Sequence, residues 1–250
     1  MMRSFGLIGK SLIHSFSKQF FTAKFLQNGI TDAEYQLFSL SKIEDVNALF
    51  QHCTLLGFNV TVPYKIDIIP FLDELDKVAQ EIGAVNWVVK QNHKWVGYNT
   101  DIIGFEKMLE EVGSRKQKAE GIRQNFALVL GSGGASKAVC YILKQKNIPF
   151  QIVSRKKTKE TITYDEITNP LVQQSTYIIN TTPIGMFPNI NEMPPIPYAA
   201  INCNHILIDL IYNPEETLFL KEGKKRNAVI INGLVMFEAQ AEACYLMFQV

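Results

Sequence analysis

Short apolar runs alternate with amphipathic stretches along the whole chain. In the first hundred residues, 4–8 and 55–61 read as buried strands, and 34–38 alternates with Tyr35 and Leu37 on one face. Residues 22–28 carry helical spacing and stop at Gly29. Residues 84–90 and 94–98 flank Gln91-Asn92-His93 and predict a hairpin. Together these predict an α/β unit whose sheet is mostly parallel with an antiparallel edge.

The period turns helical over 102–112. Residues 113–124 are then polar and basic, with Arg115, Lys116, Lys118 and Arg123, and read as a linker or exposed loop. The run is too short and too poor in aromatics for a nucleic-acid patch. A second α/β unit follows, with a strand at 126–130, a turn at Gly131-Ser132-Gly133-Gly134 and a helix at 135–146. Further strands are predicted at 150–154, 177–180, 206–210 and 228–231. Residues 234–248 are apolar nearly all round, which predicts a buried helix returning to the first domain. The expected architecture is therefore two-domain α/β.

Composition supports a packed core, with 47% hydrophobic and 20% charged residues in 250. A net charge of +1 gives no global reason to expect nucleic acid or an anionic membrane as partner, so the ligand must be argued from local features. No apolar run approaches the ~18 residues of a membrane span. Residues 1–21 hold bases, serines and no acid, as a transit peptide does. However, 5–8 reads better as a buried strand, and Lys10 and His14 break any signal-peptide core. The expected location is the cytoplasm. Cys53, Cys140, Cys203 and Cys244 form no CxxC pair and read as reduced core thiols. The histidines show no metal-ligand spacing, so no metal is expected.

Strand, glycine turn and helix form the arrangement that a dinucleotide pyrophosphate needs. Gly131 and Gly133 take the first two glycine positions of the fingerprint, Ser136 takes the third, and Ser132, Gly134 and Ala135 complete the turn. An NAD site usually places Asp or Glu ~20 residues after the first glycine, at the end of the second strand. This chain has Ser154, Arg155 and Lys156 there. A guanidinium binds a 2′-phosphate bidentately where a carboxylate would repel it, so the expected cofactor is NADP, with Arg155 as principal contact.

Four other segments put polar residues where strands end: His14-Ser15-Phe16-Ser17, residues 59–65, Gly83-Ala84-Val85-Asn86, and Asn99-Thr100-Asp101. Ligands of open α/β sheets lie beyond such ends. Ser15 and Ser17 could hold a carboxylate, and Lys65 and Asp101 could form an acid–base pair. Spacing alone leaves Ser15 as a possible helix cap, Lys65 as a possible surface lysine, and Asn99 or Asp101 as a possible cap for the helix at 102.

The order of these segments, followed by Asn180-Thr181-Thr182-Pro183-Ile184-Gly185-Met186 and by Asn232-Gly233-Leu234 through Gln240-Ala241, resembles the shikimate dehydrogenase family along nearly the whole chain. The resemblance implies NADP-dependent reduction of 3-dehydroshikimate to shikimate, a step toward chorismate and the aromatic amino acids. It implies that Ser15 and Ser17 bind the substrate carboxylate, with Tyr212 on the same side. Thr61, Asn86, Asp101 and Gln240 would bond the ring hydroxyls, and Lys65 with Asp101 would be the catalytic pair. Thr181 through Met186 would line the cofactor cleft, with Gly233 near the nicotinamide. It further implies a substrate domain over 1–101 completed by 233–250, and a Rossmann-type NADP domain over 102–232. The chain would act on a small molecule, as a monomer or homodimer.

Two features depart from the family. Ser11 and Lys18 stand where it usually has prolines, which suggests a looser first loop. Ser154-Arg155-Lys156 stands where it commonly has Asn-Arg-Thr. The rival readings are a quinate/shikimate dehydrogenase using NAD, a methylenetetrahydrofolate dehydrogenase type, and a catalytically dead NADP-sensing regulator. Arg155 argues against the first. The paired serines and Asn-Thr-Asp argue against the second. Retention of Lys65 and Asp101, and the lack of a DNA-binding segment, argue against the third.

Overall fold

The first apolar runs pair as parallel strands because each is covered on both faces and followed by a crossover. A computed structural model describes residues 2–116 and 125–248. Its chain divides into one unit of residues 1–101 and 240–250 and another of residues 102–239.

The first unit contains β1 (Arg3–Gly9), α1 (Ser17–Gln27), β2 (Ala33–Ser39), α2 (Val46–Phe50), β3 (Leu55–Val60), β4 (Glu74–Leu75), α3 (Lys77–Ile82), β5 (Trp87–Gln91) and β6 (Lys94–Tyr98). Its six-stranded sheet has the order β2-β1-β3-β5-β6-β4. Strand β5 pairs antiparallel with both β3 and β6, while the other pairings are parallel. The hairpin is therefore real, but its reversed strand lies inside the sheet and not at an edge. It lies between β3 and β6, and the short β4, which the pattern does not announce, then covers β6.

The second unit contains α4 (Asp101–Lys116, starting on the last residue of the first unit), β7 (Ala127–Leu130), α5 (Gly134–Gln145), β8 (Phe150–Val153), β9 (Thr161–Ile162), α6 (Asn169–Gln174), β10 (Tyr177–Asn180), β11 (Ile206–Asp209), α7 (Leu218–Lys224), β12 (Val229–Ile231) and the start of α8 (Leu234–Met247). All strands of its sheet run parallel, in the order β12-β11-β10-β7-β8-β9. That is a doubly wound sheet, with its topological switch point between β7 and β10.

Three expectations change. Residues 113–116 continue α4 and are not loop, while the rest of the basic stretch, with Lys118 and Arg123, lies outside the described residues. Helix α8 is shared between the units, with Gly233 and the first part of the helix, residues 234–239, belonging to the second. Cys53 and Cys203 are exposed, so only Cys140 and Cys244 are core thiols. No described helix is long and apolar enough to cross a membrane.

The end of α8 is fixed in the first unit by aromatic packing. Phe248 is buried, with the rings of Phe5, Trp87, Phe21 and Phe25 at centroid distances of 4.0, 4.7, 5.1 and 6.0 Å. Emptying that position should lower the stability of the first unit by about 3–5 kcal/mol. Both tryptophans, Trp87 and Trp95, lie in this unit. Tryptophan fluorescence in a denaturant titration of Phe248→Ala should show a lower midpoint. An unmoved midpoint would mean that the aromatic cluster does not hold this helix end.

Candidate active site

In the first unit, β1, β3 and β6 all end at one edge of the sheet, and the reversed β5 begins there. Backbone bonds knit this edge together. Thr61 N donates to Ile8 O at 2.9 Å, Val60 N to Asn86 O at 2.8 Å, and Asn86 N to Tyr98 O at 3.0 Å. Asn86 is delivered by α3, which starts at Asp76, where the carboxylate accepts from the Val78 and Ala79 amides, and which closes at Gly83. The segments 59–65, 83–86 and 99–101 thus meet at one place.

There Lys65 Nζ donates to Asp101 Oδ2 at 2.5 Å, with the two side chains 14% and 4% exposed. Lys65 is therefore not a surface lysine. Asp101 is not spent on capping α4 either. Its own N–H donates to Asn99 Oδ1 at 3.1 Å, and its free oxygen Oδ1 accepts from Asn86 Nδ2 at 2.9 Å. The Asn86 amide also lies 3.3 Å from Gln240 Oε1 on α8. Lys65, Asp101, Asn86 and Gln240 form one connected group of directed donors and acceptors. Thr61 sits one turn before Lys65, half-buried at the end of β3, where its carbonyl accepts from Tyr64 N at 3.0 Å.

Ser15 and Ser17 meet each other. Ser15 Oγ donates to Ser17 Oγ at 3.1 Å and accepts from Ser17 N at 3.2 Å. The N-cap of α1 is Phe16, so the Ser15 side chain, one residue before it, takes the first amide of the helix as well as meeting Ser17.

Behind the charged pair lies a buried polar chain that sequence reasoning did not pick out. Tyr35 O–H donates to Asn59 Oδ1 at 2.8 Å, and Asn59 Nδ2 donates to Cys244 Sγ at 3.1 Å. Cys244 Sγ lies 3.2 Å from Thr100 Oγ1, and Thr100 N donates to Asn86 Oδ1 at 2.7 Å. The available signal was Asn59, a polar residue inside the apolar run of β3. Cys244 gave none, because a thiol in an apolar helix reads as packing.

The second unit places the glycine turn at its switch point. Gly131 has φ 116°, and a Cβ there would stand 2.5 Å from Thr181 Oγ1, so only glycine fits both the turn and the neighbour. Thr181 is held by Oγ1–H donation to Leu130 O at 2.8 Å. Helix α5 has Gly133 as N-cap with no side-chain cap, and a Cβ on Gly133 would meet open space. The free amides of Gly134, Ala135 and Ser136 can therefore receive a phosphate.

Ser132 and Ser154 hydroxyls lie 2.9 Å apart, joining the turn to the end of β8. Arg155 and Lys156 follow, both exposed. Lys157 is committed to Glu166, but among the described residues no ion pair engages Arg155 or Lys156. No carboxylate occupies the end of β8, and these groups suit a phosphorylated ribose.

After β10 and β11 the chain forms two further loops in this unit. Asp209 fastens them together by accepting from Thr217 Oγ1 at 2.6 Å, Asn180 Nδ2 at 3.0 Å and Ile211 N at 3.1 Å. Burial pushes its carboxyl up to about 7, against the pull of those three bonds. Tyr212 packs on Phe237 at 4.9 Å. Gly233 N donates to Ile211 O at 2.9 Å, and a Cβ on Gly233 would stand 2.1 Å from Leu210 O, so this crossing also demands glycine. Met186 is 42% exposed on the loop after β10. Asp209, Asn180 and Thr217 were not anticipated, since their role is to hold loops together.

Residues 7–88 match the model of the shikimate dehydrogenase substrate binding domain. The chain is 39% identical to a shikimate dehydrogenase (NADP(+)) of Methanococcus maripaludis, over 96% of this chain and 89% of that one. Its fold is similar to a crystal structure of shikimate dehydrogenase 1 from Peptoclostridium difficile, with TM-score 0.84 and 34% identity, covering 99% of this chain and 92% of that one. It is also similar to a shikimate dehydrogenase solved in complex with NADP+, with TM-score 0.77 and 34% identity, covering 99% and 90%. With the polar edge of the first unit and the glycine turn of the second in place, identity of this extent shows that the chain belongs to the shikimate dehydrogenase family.

Proposed function

We propose that this protein catalyses the NADP-dependent, reversible reduction of 3-dehydroshikimate to shikimate. The observation that carries this reading is the Lys65–Asp101 contact of 2.5 Å on the same sheet edge as the Asn86 and Gln240 amides. A polyol acid needs several directed hydrogen bonds, and such a site rejects analogues that lack a hydroxyl. Asn86, Asp101, Gln240 and Thr61 supply them. The Ser15–Ser17 pair is the carboxylate anchor, since Ser15 donates to Ser17 and leaves the Ser17 hydrogen for the ligand.

Bound NADPH supplies the hydride to the carbonyl carbon. Lys65, as ammonium, donates its proton to the carbonyl oxygen, and the neutral amine takes it back in the reverse direction. Asp101 orients Lys65 through the 2.5 Å contact. Arg155 and Lys156 hold the 2′-phosphate, Ser154 and Ser132 face the ribose, and the amides of Gly134, Ala135 and Ser136 hold the pyrophosphate. This assignment is supported by a relative named for NADP(+) and by the NADP+ complex of a solved one.

Two outcomes test the reading. Lys65→Met keeps the apolar stem and removes the ammonium, so kcat should fall by at least about 10²-fold with KM for shikimate little changed. Asp101→Asn should give a similar loss, and the double variant should lose less than the product because the pair acts as a unit. Near-normal kcat in Lys65→Met would sink the assignment. On the cofactor side, Arg155→Asp replaces a phosphate partner with a like charge. It should raise KM for NADP far more than KM for NAD. An unchanged preference would show that Arg155 does not read the 2′-phosphate.

A further inference from the structure

The basic turn of the second unit joins two strands that ordinarily need a longer connection. Strands β8 and β9 pair in parallel, Ile152 with Thr161 and Val153 with Ile162. A parallel neighbour normally requires a crossover of about a dozen residues or more, usually a helix. Here only residues 154–160 make the connection, and none of them is helical. The backbone of this loop gets little support from regular structure, and side chains take its place.

Strand β9 grips the turn at two points. Ser154 N donates to Ile162 O at 2.8 Å. Thr161 Oγ1 donates to Lys156 O at 3.0 Å. The first bond precedes Arg155 and the second follows it, so the backbone that carries both exposed cations is held from either side. The Thr161 hydroxyl is itself fixed. With its hydrogen on Lys156 O, its oxygen accepts from Thr158 N at 3.0 Å and from the Thr158 hydroxyl, also at 3.0 Å. Thr158 Oγ1 accepts in turn from Glu160 N at 3.2 Å. Thr161 is buried, whereas Arg155 and Lys156 stand in solvent.

We propose that Thr161 is a positioning residue that sets cofactor specificity: its hydroxyl fixes the backbone from which Arg155 and Lys156 reach a ribose 2′-phosphate. The inference rests on the proposed NADP site. A guanidinium grips phosphate with two parallel bonds, which demands a set origin and direction for a side chain that is otherwise free in solvent. Freedom removed before binding need not be lost on binding. The amides assigned to the pyrophosphate lie on α5, a separate element, so the effect falls on the 2′-phosphate and not on the rest of the dinucleotide.

Thr161→Val keeps the branched shape, which suits a strand equally well, and removes the hydroxyl. Thr161→Ser keeps the hydroxyl. Adenosine 2′,5′-bisphosphate and 5′-AMP differ only in the 2′-phosphate, so the ratio of their Kd values, measured by calorimetry on the whole protein, isolates that group. Wild type should prefer the bisphosphate. In Thr161→Val the preference should shrink about three- to tenfold, the loss of one hydrogen bond, with 5′-AMP binding unchanged. Thr161→Ser should restore most of it. KM for NADP should rise by a similar factor while KM for NAD stays. Without ligand, the ¹³C resonance of the Lys156 carbonyl should move in the valine variant and return toward wild type with serine. Three results would overturn the proposal: an undiminished preference in Thr161→Val, both ligands weakened alike, which would leave Thr161 a purely structural residue of the loop, or a loss that serine does not repair. A wild type without preference for the bisphosphate would refute the NADP reading itself, and this proposal with it. A wild-type preference that survives Thr161→Val would refute this proposal alone.

Discussion

A carboxylate that is 4% exposed must be compensated, or it will protonate or destabilise the fold. Asp101 meets that demand with an ammonium on one oxygen and an amide on the other. Each partner comes from a different part of the sequence, so the pairing fixes the surrounding fold. Lys65 must follow β3, Asp101 must follow β6, and Asn86 must stand between them. The last condition holds only because β5 runs backwards through the middle of the sheet and starts at the edge where its neighbours end. A wholly parallel sheet would bring Asn86 to the far edge. The mixed sheet is thus the means by which three polar segments reach one point.

Much of this was legible in the sequence, for definite reasons. β1, β3 and β6 are short apolar runs with clear ends, and polar residues at those ends stand out. The glycine turn is readable because Gly131 and Gly133 follow a strand and precede a helix. Other features were hidden because they depend on contacts distant in sequence. The interior place of β5 depends on its pairing with β3, some thirty residues earlier, and the covering of β6 depends on β4, two residues long. The continuation of α4 through 113–116 overrides a glycine and a polar composition that favour a loop. Cys244 joins Asn59 and Thr100 across 185 and 144 residues, and no local pattern encodes that.

The second unit follows the same logic with different groups. Its parallel strands all end together, and the loops there are tied by Asp209 to Asn180, Thr217 and the backbone of Ile211. Here the buried carboxyl has neutral partners only, so its charge is poorly compensated and its affinity for a proton rises. Asp101 faces an ammonium, whereas Asp209 faces a hydroxyl and two amides. The contrast separates a carboxylate that holds an ammonium, the reacting group of the proposed function, from one that holds loops.

The two units also differ in how they expose charge, and the difference follows from what each group must do. A proton moves efficiently between groups whose positions and fields are fixed before the reaction, and burial provides that by excluding water and strengthening each dipole. Lys65 and Asp101 are accordingly sunk among hydrogen-bonded neighbours, 14% and 4% exposed. A phosphate that must bind and leave in every turnover needs the opposite arrangement. Arg155 and Lys156 stand in solvent, where a guanidinium still grips bidentately but little desolvation must be undone on release. A buried Arg155 would require a permanent carboxylate partner, and that partner would repel the very phosphate it is there to receive. On the proposed function, exposure of the cations that would read the cofactor and burial of the pair that would handle the proton are two consequences of one rule: in a low-dielectric interior a charge needs a resident partner.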